Sequence, residues 1–104
     1  MALQHVVLLG FKEHVTEAQT KEIVRRFGAL RNTVPGVASF EWGMNCSPEG
    51  HSKGLTHAFL LGFADAKARD AYLVHPVHAA FGQWVGPFIA AITVVDYERE
   101  EALP

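Results

Sequence analysis

The chain has 104 residues, enough for one ordinary domain and too few for two independent cores. Apolar residues make up 49% of it and aromatics 11%, which suits a packed globule and excludes a disordered chain. Net charge is −2, and Lys and Arg nowhere cluster, so neither a nucleic-acid groove nor an anionic membrane surface is an expected partner. Six histidines are the least neutral feature of the composition. The single cysteine, Cys46, forms no internal disulfide, which fits a reducing compartment. The apolar run near the N-terminus stops at Lys12, too short to span a bilayer, and the protein is expected in the cytoplasm.

"LQHVVLLGFK" (3–12) reads as a strand with His5, Val7, Leu9 and Phe11 on one face and Val6 and Leu8 on the other. "TEAQ" (16–19) matches a capping box, with Thr16 and Gln19 pairing reciprocally with backbone amides. Ile23, Val24, Phe27, Leu30 and Val34 then recur at helical spacing until Pro35-Gly36 stops the helix. "VASFEWGMNC" (37–46) is a second strand, and "SPEGHSKG" (47–54) is dense in turn formers. "LTHAFLLGF" (55–63) is a third strand, with His57, Phe59, Leu61 and Phe63 on one side. Asp65 caps a second helix running to about Val74, and Pro76 suits the first position of a third, where no amide partner is needed. Gly86-Pro87 interrupts that helix. "AAITVVDYE" (90–98) closes the set, leaving residues 1–98 as the domain and 99–104 as a flexible tail.

The order β-α-β, β-α-β predicts an α+β, ferredoxin-like split βαβ plan: a four-stranded antiparallel sheet with helices on one face. The strands are nevertheless apolar on both sides, as strands covered on both faces are. One chain's helices cover only one face, so a second copy is expected on the other, a homodimer through the sheet. At roughly 25 cal/mol per Å² of apolar surface, a contact of several hundred Å² is worth many kcal/mol before association costs.

The stretch "YLVHPVHAAFG" (72–82) concentrates the chemistry. His75 and His78 stand at i,i+3, but Pro76 starts a helix between them, and no HExxH or cysteine pair supplies the remaining ligands of a zinc site. Acid–base work is the alternative. His5 and His57 fall on the two central strands and face the helices, beside Tyr72 and His78 at the hinge. An imidazole abstracts a proton alpha to a carbonyl near neutral pH, and a phenol steadies the enolate oxygen. Against this stands a structural reading: His5 and His57 satisfy each other, His78 bonds a carbonyl freed by the kink, and Tyr72 packs as a lid. Trp42 and Trp84 read as core or dimer aromatics, and Cys46 has no basic neighbour to activate it. Gly28 and Gly82 are expected to draw the helices close to the sheet and shrink a pocket, as is Phe59.

"HVVLLGFK", "VPGVASFEWGMNCSP", "AYLVHPVHAAF" and "VVDYE" together resemble the stress-responsive dimeric α/β-barrel family over nearly the whole chain, H-P-x-H being the most specific piece. The resemblance implies two ferredoxin-like sheets paired into a barrel, and a pocket between sheet and helices that takes a small apolar carbonyl compound. One plant member is a polyketide cyclase, whose catalytic His and Tyr match His78 and Tyr72. The pocket positions so implied are His5, Val7, Leu9, Phe27, His57, Phe59, Phe81 and Val94. The chain departs from that cyclase with Phe27 in place of a tyrosine, Phe59 in place of a smaller aliphatic residue and Ile89 in place of a tryptophan. No organic cofactor is implied. A divalent cation held by main-chain carbonyls is found in some members, and the matching positions are Arg31, Val34 and Val37. Three readings stay open: a lyase or isomerase of cyclase type, a non-enzymatic stress-associated dimer, and a cofactor-free monooxygenase-like protein.

Overall fold

The first strand, β1 (Leu3–Phe11), leads into helix α1 (Glu17–Thr33), where Thr16 Oγ1 accepts from the Gln19 amide at 3.1 Å and Gln19 Oε1 accepts from the Thr16 amide at 2.9 Å. This computed structural model describes residues 2–103; Met1 and Pro104, the last residue of the expected tail, lie outside them. The chain continues through β2 (Val37–Met44), β3 (His57–Phe63), α2 (Ala66–Leu73), α3 (Pro76–Val85), a single 3₁₀ turn (Gly86–Phe88) and β4 (Ile89–Glu98). The strands form one antiparallel sheet in the order β2-β3-β1-β4, so β3 and β1 are central.

Two strand ends differ from the sequence reading. β2 stops at Met44 and β3 starts at His57, because the intervening chain spends its hydrogen bonds on turns and on β1. Asn45 N donates to Thr56 O, Leu55 N to Ser52 O and Thr56 N to Leu9 O, all within 3.0 Å. The loop presses closely on β1: a Cβ on Gly10 would sit 2.1 Å from the Gly54 carbonyl oxygen, so glycine is required there. After Glu98 the Arg99 amide donates to Ala2 O at 2.9 Å.

Side-chain parity sorts the sheet as expected. His5, Val7, Leu9, His57, Phe59, Leu61 and Phe63 are buried beneath the helices with Ile23, Phe27 and Leu30 of α1. The opposite face carries Val6, Leu8 and Leu60, half-buried, and Val95 and Tyr97, which are 53% and 49% exposed. A hydrocarbon surface of this kind on a single chain calls for a second one. No helix among the described residues is long and apolar enough to cross a membrane.

Candidate functional site

The hinge between α2 and α3 is built by local chemistry. Asp65 Oδ1 accepts from the Ala68 amide at 2.9 Å and starts α2, which ends at Leu73. Pro76 then opens α3 at a position where its missing amide costs nothing, and His75 caps it, Nδ1 accepting from the Val77 amide at 3.1 Å. His75 is therefore a helix cap. His78, one turn into α3, donates from Nδ1 to the Leu73 carbonyl, an acceptor left free by the break, at 3.1 Å. With its proton held at Nδ1, neutral His78 keeps the Nε2 lone pair for other work.

Beneath the hinge is a cavity of about 340 Å³ between α1, α3, β1 and β4. His5, Val7, Leu9, Phe27, Tyr72, His78, Phe81 and Val94 all line it, together with Ile89, Ile92 and Asp96. The rings of Tyr72 and His78 lie 4.5 Å apart, and those of Tyr72 and His5 6.1 Å. Gly82 also lines the cavity, and a Cβ there would meet nothing within 4 Å, so this glycine leaves room rather than closing the space as expected. Gly28 does permit close packing, its Cβ position lying 3.4 Å from the Phe40 ring.

His57 and Phe59 stand elsewhere. In the register His5 faces Leu61 across β3, while His57 faces Leu9, four residues away along the strand. The two histidines therefore do not satisfy one another, contrary to the pairing weighed from sequence. His57 Nδ1 instead bonds Thr56 Oγ1 at 2.8 Å, and its ring lies parallel to Trp42 in a larger cavity of about 580 Å³ on the far side of α1. Phe59 is fully buried against Phe27, ring centroids 4.4 Å apart, and closes the space between the two cavities.

Asp96 was not among the residues expected at the site. It lies directly across from His5 on β4, and its Oδ1 accepts from His5 Nδ1 at 2.5 Å while Oδ2 accepts from Arg69 at 2.7 Å. Arg69 in turn donates to Asp70 at 2.8 Å. The signal was present in "VVDYE": Asp96 shares the parity of Ile92 and Val94 inside the strand, ahead of Glu98 at its end, and the register sets it opposite His5.

Burial governs the protonation of this site. It holds His78 below the ordinary imidazole value, the nearby His5 adding to the effect and the Leu73 carbonyl opposing it. His57 is also lowered by burial. Burial pushes the Tyr72 phenol well above its usual value, so Tyr72 is a donor at any physiological pH. Its hydroxyl is sealed from solvent and has no hydrogen-bond partner among the described residues.

Nor do three His, Cys, Asp or Glu side chains gather in metal-binding geometry among the described residues. The main-chain positions Arg31, Val34 and Val37 border the turn from α1 to β2, Val34 being the helix C-cap. The Arg31 guanidinium reaches across that turn to Ala38 O at 3.4 Å.

Fold and site define a ferredoxin-like α+β domain with a histidine–tyrosine cavity between sheet and helices. Residues 3–99 match the stress-responsive A/B barrel domain, and the chain belongs to that family. It is 30% identical over 97 residues to olivetolic acid cyclase of Cannabis sativa, covering 93% of this chain and 96% of that protein. The structure of hydroxynitrile lyase from Passiflora edulis superposes with a TM-score of 0.92 at 25% identity, covering 99% of this chain and 97% of that one. A ferredoxin-like protein of unknown function from Jannaschia, described as dimeric, superposes with a TM-score of 0.79 at 31% identity, over 95% and 100% of the two chains.

Proposed function

We propose that the protein is a homodimer that binds a small, largely apolar carbonyl compound in the cavity beneath the α2–α3 hinge and catalyses proton transfer alpha to the carbonyl. The observation that carries this reading is Tyr72, whose ring lines a cavity shared with two histidines and whose sealed hydroxyl has no acceptor among the described residues. Buried polar groups are nearly always paired, so an orphan donor beside a cavity supports a role for it toward a bound molecule. The apolar sheet face and the dimeric relative support the assembly.

His78 is the base. Its Nε2 removes the alpha proton, the C–H electron pair becomes the C=C bond as the C=O π pair moves onto oxygen, and Tyr72 donates a hydrogen bond to the enolate so formed. Where a second carbonyl lies within reach of the enolate carbon, a C–C bond forms and the proton on His78 passes to the new alkoxide. His5, its Nδ1–H anchored on Asp96, presents the Nε2 lone pair to the cavity, where it accepts from a substrate hydroxyl. Because the phenol oxygen is sealed, a productive complex requires the Tyr72 ring to swing toward the cavity. The cavity lining is otherwise hydrocarbon, which excludes a strongly charged substrate. A cyclase and a lyase among the relatives support carbon–carbon chemistry of this general kind.

The test is hydrogen–deuterium exchange alpha to the carbonyl of 2-heptanone in D₂O, followed by NMR. Native protein accelerates exchange above buffer, and His78→Ala removes the acceleration. Exchange no faster than buffer, or undiminished in His78→Ala, overturns the reading. A second reading, a structural dimer with a satisfied polar core, rests on the Arg69–Asp96–His5 chain. It predicts that His78→Ala lowers stability by about 1–3 kcal/mol and changes nothing else.

A further inference from the structure

The cavity of about 580 Å³ on the far side of α1 is separate from the Tyr72 site, the buried side chains Ile23, Phe27 and Phe59 standing between them. Its floor comes from the edge strand. Trp42 and Met44 point to the helix side of the sheet, yet remain 46% and 64% exposed, because α1 stands off from this end of β2. Val24 and Thr20 of α1 form the opposite wall. Besides the Trp42 indole N–H and the Thr20 hydroxyl, which donates to Thr16 O at 3.0 Å, one imidazole interrupts this surface. His57 is only 6% exposed and its Nδ1 is engaged with Thr56 Oγ1, whose own proton goes to the Leu9 carbonyl at 3.4 Å. In the tautomer with the hydrogen on Nδ1, that nitrogen donates to Thr56 Oγ1, and Nε2 presents a lone pair with no partner among the described residues.

The charges at the rim are spent on one another. Lys21 pairs with Glu17 at 3.2 Å, and Arg25 grips Glu22 through two bonds of 2.8 and 2.6 Å. The lining between these charges is mostly hydrocarbon, which favours a neutral molecule over an anion. The planes of Trp42 and His57 lie 5° apart with centroids at 6.1 Å, so a flat molecule lying along the indole meets the imidazole edge. We propose that this cavity is a second binding site, for a small, neutral, flat apolar molecule bearing one phenol-like hydrogen-bond donor, which His57 Nε2 accepts. The site is independent of the proton-transfer chemistry assigned to Tyr72 and His78.

The experiment is an NMR titration of the isotope-labelled full chain in its native assembly with 2-naphthol at neutral pH, against 2-methoxynaphthalene, which keeps the shape and lacks the donor. The chain has two tryptophans, and Trp84 lies beneath Arg26 at 4.1 Å in the groove between α1 and α3, so its indole N–H serves as an internal control. Saturable shifts of the Trp42 indole and the His57 ring are expected, with Trp84, Tyr72 and His78 stationary. The methyl ether binds roughly fivefold to tenfold more weakly, the worth of one hydrogen bond. His57→Phe reduces 2-naphthol to the affinity of the ether, and Thr20→Trp, which fills the cavity from the helix surface, abolishes both. No saturable shift, shifts centred on Tyr72 and His78, or equal affinity for phenol and ether would each overturn the proposal. The last comparison uses the native protein and decides the matter even where a variant fails to fold.

Discussion

Tyr72→Phe separates stability from function in one substitution. The ring packs against Phe63, His5 and His78 at centroid distances of 5.2, 6.1 and 4.5 Å, and phenylalanine keeps all three contacts. Only the sealed, unpaired oxygen is deleted. A buried hydroxyl without a partner costs about 1–3 kcal/mol, so its removal should stabilise the ligand-free protein by about 1–2 kcal/mol. For a domain of this size that is roughly 4–8 °C of melting midpoint per kcal/mol. The same change withdraws the donor to the enolate oxygen, and exchange of 2-heptanone should fall by about two orders of magnitude or more. The assay is urea unfolding of native and variant protein at matched concentration, since dissociation of a dimer enters its stability, alongside the exchange rate. A variant less stable than native by 1 kcal/mol or more would show that the hydroxyl has a ground-state partner, and the reasoning from an orphan donor would fail.

Asp96→Asn removes the charge and leaves one acceptor oxygen for two donors, His5 and Arg69, both poorly exposed, and should destabilise the protein by about 1.5–3 kcal/mol in thermal unfolding; a loss under 0.5 kcal/mol would mean the chain of bonds is ornamental. Burial holds both His57 and His78 below 6.5, so in the window beneath that value the unfolded chain binds more protons than the native one. Stability should therefore be full above about pH 6.5 and decline as pH falls below it, which urea midpoints between pH 5 and 8 will show; a midpoint that stays level or rises on acidification contradicts the shifts. Placing a charge on the outer sheet face with Val95→Glu should convert the dimer to monomer in sedimentation, and an undisturbed dimer would move the interface off that face.

Local signals were legible wherever one residue decides the geometry. Thr16 with Gln19, Asp65 and Pro76 each mark a helix start that the structure keeps, because a capping bond or a missing amide acts within one turn. Parity was legible as well, since alternation alone puts His5, Val7, Leu9, His57 and Phe59 on the helix side. What parity withholds is position along the strand. The partnership of His5 with Asp96 depends on the β1–β4 register, and the end of β2 at Met44 depends on turns closed by Ser52 and Thr56, neither of which leaves a periodic trace.

The division of the histidines follows from the same limit. One cross-strand row runs Met44, His57, Leu9, Ile92, and the next runs Trp42, Phe59, Val7, Val94. Both rows lie on one face, and α1 crosses that face with Ile23 and Phe27 pressed into it. The β2 end of each row therefore opens into one cavity and the β4 end into another, with Phe59 as the wall. A smaller side chain at Phe59 would thin that wall and bring His57 toward the space of Tyr72 and His78. The residue at this position thus decides whether the helix side of the sheet holds one long chamber or two short ones. In this chain the stacked phenylalanines hold two, so His57 answers to Trp42 and His5 to Asp96.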